Sequence, residues 1–187
     1  MTSPTSSFGS PITLGPMPTS GRLVVVDERL VRAPIQKIFT LAAQVDHWPK
    51  YLSHYRFVHF RERTTDGGGI VEMSANRPFS AANSQFTTVN WPTWWCSDMS
   101  VDTEKPAIRF RHIEGITTNM EVEWAFTSTR EGTHVRILHV WNGPPWPLIG
   151  RFAATKIIGP VFVHGIAWRT LAGLAHEAEH PGSWSGS

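Results

Sequence analysis

The stretch VRAPIQKIFTLAAQVDHWPKYLSHY, Val31 to Tyr55, decides the architecture. Its first residues close a β-branched run, RLVVVDERLVR from Arg22 to Arg32, bounded by Gly21 and Pro34, which is the pattern of a strand. Pro34 then suits the first turn of a helix, where a missing N–H costs no intrahelical bond. Ile35, Ile38, Phe39 and Ala42 fall at i, i+3, i+4 and i+7, an apolar stripe that predicts an amphipathic helix ending near Gln44. DHWPKYL, Asp46 to Leu52, predicts a second, shorter helical segment.

Beyond it the period changes to two. HYRFVHFRERTT and IVEMSANR alternate on either side of Asp66-Gly67-Gly68-Gly69, which predicts a hairpin. Four more strands follow: WWCSDMSVD from Trp94, AIRFRHIE from Ala107, NMEVEWAFTS from Asn119 and GTHVRILHVW from Gly132. The loops between them are DTEKP, GITT and TREG. Pro92 predicts a break in any central strand from Gln85 to Asp98, so a loop or edge segment is expected over residues 80–90 and a core strand from Trp94. From about Arg151 to His180 a long helical pattern returns, kinked or split at Pro160. Strand, two short helices, about six strands and one long helix predict an α+β domain with a mostly antiparallel sheet.

The chain has 187 residues and one cysteine, Cys96, so an internal disulfide framework and a CxxC metal or redox site are excluded. A net charge of +2 points away from nucleic acid. Charged residues make up 17% of the chain, below the ~25% usual for soluble domains. Nine Trp and ten Phe dominate the aromatics instead. Between Met1 and Gly21, sixteen of twenty-one positions are Ser, Thr, Pro or Gly, which predicts a disordered tail that is not a secretory signal. Residues 22–180 are expected to form the single domain, and 181–187 a frayed end. The apolar region Trp146 to Trp168 is interrupted by Arg151, Lys156, Gly159-Pro160 and His164, a poor membrane span. The expected location is the cytoplasm.

The segment Val24 to about His180 resembles the helix-grip (START-like, SRPBCC) superfamily, and within it the polyketide cyclase/dehydrase and coenzyme Q-binding group. The Ala-Pro strand end, amphipathic helix and Trp-Pro turn carry the resemblance, supported by RFRHIE, GTHVRILHVW and the closing helix IAWRTLAGLAHEAE. It implies a curved antiparallel sheet of about six or seven strands wrapped around a long C-terminal helix, with a deep apolar cavity between them. Members bind lipids, quinones or aromatic polyketides there.

Alternation assigns the faces. Trp95, Ser97 and Met99 share one; so do Ile108, Phe110 and His112; Met120, Val122, Trp124 and Phe126; and Val135, Ile137, His139 and Trp141. These rings either fill the core or line a ligand wall, and periodicity alone does not separate the two. The resemblance places Trp48, Leu52 and Tyr55 at a pocket mouth, with Tyr55 able to orient a phenol or a carbonyl, and brings Phe162 and Ile166 from the closing helix. It also sets a cyclase Ser-x-Arg pair on Ser97 and Met99, so the arginine is missing, and a second cavity arginine near His112. Tyr55, Ser97, His112 and His139 are the candidate catalytic groups. Nine histidines show no HExxH or one-sided ligand set, and no nucleophile elbow or phosphate loop appears, so neither metal nor cofactor is expected. The leading function is binding of a hydrophobic small molecule. The alternatives are a polyketide aromatase/cyclase or dehydratase, and an interaction module. The segment Gly143 to Phe152 offers a transient membrane contact or a packed loop.

Overall fold

The computed structural model describes residues 8–80, 88–143 and 164–182. Strand β1 (Leu23–Val31) is followed by helix α1 (Ile35–Ala43), a 3₁₀ turn (Val45–His47) and helix α2 (Trp48–Tyr51). Strands β2 (Tyr55–Arg63), β3 (Gly69–Ser80), β4 (Thr88–Asp102), β5 (Ala107–Gly115), β6 (Glu121–Thr129) and β7 (Gly132–Trp141) come next, and helix α3 (His164–Glu179) closes the order. All seven strands form one antiparallel sheet in the order β1-β7-β6-β5-β4-β3-β2. The segment from 151 to 163, expected to be helical, lies outside the described residues, as do Phe162 and all but the first residue of 143–152.

The two helices after β1 stand where the sequence puts them. Ile38 and Ala42 of α1 are fully buried, as the apolar stripe requires. On α3 the buried positions are Ala167, Thr170, Leu171, Leu174, Ala175 and Ala178, one face at the 3.6-residue period. Gly173 allows α3 to approach α2 closely, since a Cβ there would come within 2.2 Å of Leu52 Cδ2. Glu179 Oε1 accepts a bond from the Arg32 N–H at 2.9 Å, tying the end of α3 to the end of β1.

Of the two expected alternatives before Trp94, loop or edge, β4 takes the edge, and it starts earlier than expected, at Thr88. It runs through Pro92, which pairs with Asn76, and the β3/β4 ladder continues to Ser80 and Thr88. The reason is coverage on the other side. The β5 ladder reaches only to the pair Trp95 and Gly115, so at Pro92 the strand has a neighbour on one edge and the residue itself is exposed. A proline is tolerated there because no second ladder needs its N–H.

Residues 8–21 also depart from the compositional reading. The Gly9 N–H donates to Arg63 O at 2.8 Å and the Thr65 N–H to Gly9 O at 3.2 Å, alongside β2. Further on, Arg111 donates to Leu14 O at 2.7 Å and Arg109 to Gly15 O at 3.0 Å, with the Leu14 side chain buried. The segment thus crosses the outer side of the sheet. Composition misses this because the contacts use main-chain groups and one leucine, whereas the driving partners are two arginines of β5 that also share Glu121.

The β2/β3 turn is built on Asp66. Its carboxylate accepts from Thr64 Oγ1, from the Gly68 N–H at 3.2 Å and from the Val101 N–H at 3.2 Å. Burial opposes ionisation, but these hydrogen bonds outweigh it and hold the carboxyl below its ordinary value of 3.8. A group depressed in the folded state contributes stability above its unfolded pKa and loses it as pH falls through the folded value. Asp66→Ala is expected to lower stability at pH 7 by about 1–3 kcal/mol. Urea denaturation at pH 7 and at pH 3 checks this, and the deficit should shrink at the lower pH.

Candidate functional site

Between the inner face of the sheet and α3 lies a cavity with about 80 Å³ open to the centres of water-sized molecules, room for roughly five to eight waters. Its wall is mostly rings. Trp95 of β4 stacks on His112 of β5, centroids 6.0 Å apart and planes at 15°. Trp95 lies 6.4 Å from Tyr55 of β2, Tyr55 meets Trp48 of α2 edge-on at 5.3 Å, and Trp48 lies 5.8 Å from Trp124 of β6. The Trp48 indole N–H donates to Leu41 O at 3.1 Å, which fixes the ring against the end of α1. Such contacts are worth about 0.5–1.5 kcal/mol each beyond the area they bury.

Polar groups enter the wall at two places. At the α3 side, Tyr55 Oη lies 3.0 Å and His54 Nε2 3.2 Å from Thr170 Oγ1, and the Thr170 hydroxyl donates to Ile166 O at 2.8 Å. Burial is the larger cause, and the charge of Arg169 the smaller, that lowers the His54 pKa to about 4. Burial likewise raises the Tyr55 pKa, with the Thr170 bond opposing it, so its hydroxyl keeps its hydrogen. At the far side, His112 Nδ1 pairs with Thr117 Oγ1 at 2.6 Å, and burial lowers its pKa to about 3. Both imidazoles are therefore neutral at physiological pH. Thr93, also on the wall, has a buried Oγ1 with no hydrogen-bond partner among the described residues.

Of the residues singled out in the sequence, Trp48, Tyr55, Trp95, Phe110, His112, Met120, Trp124, His139 and Ile166 line this cavity. Leu52 does not; it packs against Gly173 and borders a separate groove beside His54, Arg169 and His176. Ser97 and Met99 do lie on the inward face, opposite His112 and Phe110, but they are completely buried and contribute nothing to the wall. Ser97 is too short to reach past its larger neighbours Trp95 and His112. Trp141 is buried at the end of β7, its indole N–H donating to Thr118 O at 2.9 Å. Met73, Thr93, Thr117, Val122, Ala167 and Thr170 complete the wall. Met73 follows from pairing with Trp95 and Val122 from the period of β6, whereas Thr117 sits in a turn and Thr170 on a helix, where no alternation signals them. Among the described residues there is no group of His, Cys, Asp and Glu that could hold a metal ion. Nor is any described helix long and apolar enough to cross a membrane.

The model of the family described as polyketide cyclase / dehydrase and lipid transport matches residues 31–172. The chain belongs to this family. No curated protein matches the sequence. The fold of this family member is similar to that of the Zhui aromatase/cyclase from a Streptomyces species (TM-score 0.68, 17% identity, covering 83% of this chain and 93% of that one). It is also similar to a Thermus thermophilus protein (0.64, 20%, 83% and 96%) and to a START superfamily protein from Mycobacterium smegmatis (0.59, 14%, 84% and 97%). At these identities the likeness is one of fold, and it establishes the START-like architecture.

His54, behind the cavity wall, and His112, on it, make the stability of this family member pH-dependent in a stated direction. Both folded pKa values lie below the ordinary 6.5, so the unfolded chain binds more protons and stability falls as pH drops from about 6.5 towards 4. His112→Gln is expected to flatten that slope, as read by urea melts at half-unit pH steps. An unchanged slope would show that His112 does not resist protonation in the fold.

Proposed function

We propose that this protein binds a hydrophobic small molecule, a lipid, quinone or aromatic polyketide, in the cavity between the sheet and α3. The observation that carries this is the run of rings from His112 through Trp95, Tyr55 and Trp48 to Trp124, which borders open space where a filled core would have closed it. At ~25 cal/mol per Å², a ligand hiding about 200 Å² of apolar surface gains about 5 kcal/mol, enough to drive binding without any chemistry. The lone cysteine, buried on β4, fits a reducing compartment such as the cytoplasm.

A second reading is a cyclase or dehydratase acting on a poly-ketone in the same space. It is favoured by His112, whose Nδ1 is anchored by Thr117 while the ring stays on the wall, the arrangement of a positioned hydrogen-bonding or proton-transfer group. The likeness to the Zhui aromatase/cyclase adds a precedent within the fold. Against it, Ser97 and Met99 are sealed from the cavity, and the wall formed by described residues contains no Arg or Lys to polarise a carbonyl.

Native mass spectrometry of the freshly purified protein, followed by organic extraction, tests the binding reading. A co-purified lipid, quinone or polyketide at one per chain is expected. A bare mass that persists after incubation with a panel of such compounds would sink it. Trp95→Ala and Trp124→Ala are expected to weaken binding about tenfold or more, by the ~1.4 kcal/mol per decade that loss of a ring contact readily reaches. The cyclase reading instead requires new aromatic absorbance when a poly-ketone is added, abolished in His112→Ala.

A further inference from the structure

The cluster where α3 meets the cavity dictates which atom carries each hydrogen. A backbone carbonyl only accepts, so the 2.8 Å contact between Thr170 Oγ1 and Ile166 O commits the single Thr170 hydroxyl hydrogen to Ile166. Two lone pairs remain on that oxygen, and two groups approach it, Tyr55 Oη at 3.0 Å and His54 Nε2 at 3.2 Å. Both must be donors. His54, neutral at physiological pH, therefore carries its one hydrogen on Nε2, and Tyr55 gives its phenolic hydrogen to Thr170. What Tyr55 keeps for the cavity is an oxygen with lone pairs and no hydrogen to offer.

This orientation decides between phenol and carbonyl, which the sequence leaves open. A ligand carbonyl set against Tyr55 would face acceptor against acceptor, whereas a ligand hydroxyl would donate to it. Buried mismatches of this kind are penalised more than matched pairs are rewarded, because a desolvated polar atom is left without a partner. We propose that the cavity selects ligands carrying a hydroxyl, as a phenol, enol or alcohol, directed at Tyr55, over the carbonyl form of the same skeleton. The inference rests on the cavity being a hydrophobic ligand site. Thr170 is then a positioning residue: it touches the ligand's partner and sets the direction in which that partner can bond.

The test uses 1-tetralol and 1-tetralone, which share a fused-ring skeleton and differ in one oxygen function, with titration calorimetry on the full chain and quenching of tryptophan fluorescence as a second readout. The alcohol is expected to bind about tenfold more tightly than the ketone. Equal affinities, or a preference for the ketone, would overturn the inference while leaving the binding reading intact. Failure of both to bind, together with a bare mass in the extraction experiment, would overturn the binding reading and the inference with it. Thr170→Val removes the acceptor at nearly constant shape and frees the Tyr55 hydrogen, so the alcohol-to-ketone ratio should fall to threefold or less. Thr170→Ser, which retains the hydroxyl, should preserve the wild-type ratio, an outcome a purely structural role for Thr170 would not separate from the valine variant. The wild-type ratio alone decides the matter if either variant fails to fold.

Discussion

Trp48 is the contact through which the helical layer and the sheet hold each other at the right distance. It is almost completely buried, yet its N–H is satisfied by Leu41 O, so it can sit in an apolar layer without an orphaned donor. The ring meets Tyr55 from the strand at the sheet edge and Trp124 from a strand near its middle. The indole thus links α2 to two strands of the sheet and forms part of the cavity wall.

The 3₁₀ turn at Val45–His47 separates α1 from the short α2, which carries Pro49 in its first turn, and β2 opens at Tyr55 soon after α2 ends. The Tyr55 N–H donates back to Leu52 O at 2.9 Å, fixing the entry into the strand. Sheet edge, turn and ring cluster are thus set within a stretch of local sequence.

Much of this is legible in the sequence. Alternation on β5, β6 and β7 placed Phe110, His112, Trp124 and His139 on the inward face, because a one-sided strand has only two choices for each side chain. Pro92 marks a stretch of β4 with one neighbour, as an edge segment requires, but a sequence does not show where a neighbouring strand ends, so the earlier start of β4 at Thr88 is not legible in it. Ser97 and Met99 show a different limit. They do face inward, but whether an inward residue touches open space depends on the bulk of its neighbours in three dimensions. His54 and Thr170 were unreadable as a pair, since 116 positions separate them and neither alone carries a signal. Composition misjudged residues 8–21 because two arginine side chains, far along the chain, reach back for the carbonyls of that segment.

Those two arginines bear on how the chain is made. Leu14 is bound by Arg111, 97 residues later, so when a ribosome has just released this segment none of its partners yet exists. Gly9 can pair once β2 is made, but Leu14 and Gly15 must wait until β5 has been synthesised and paired. Closing so long a loop is slow and entropically costly, which makes residues that emerge early among the last to be ordered. A nascent chain stalled before residue 109 would leave the stretch around Leu14 and Gly15 open to proteases even if its first helices had formed.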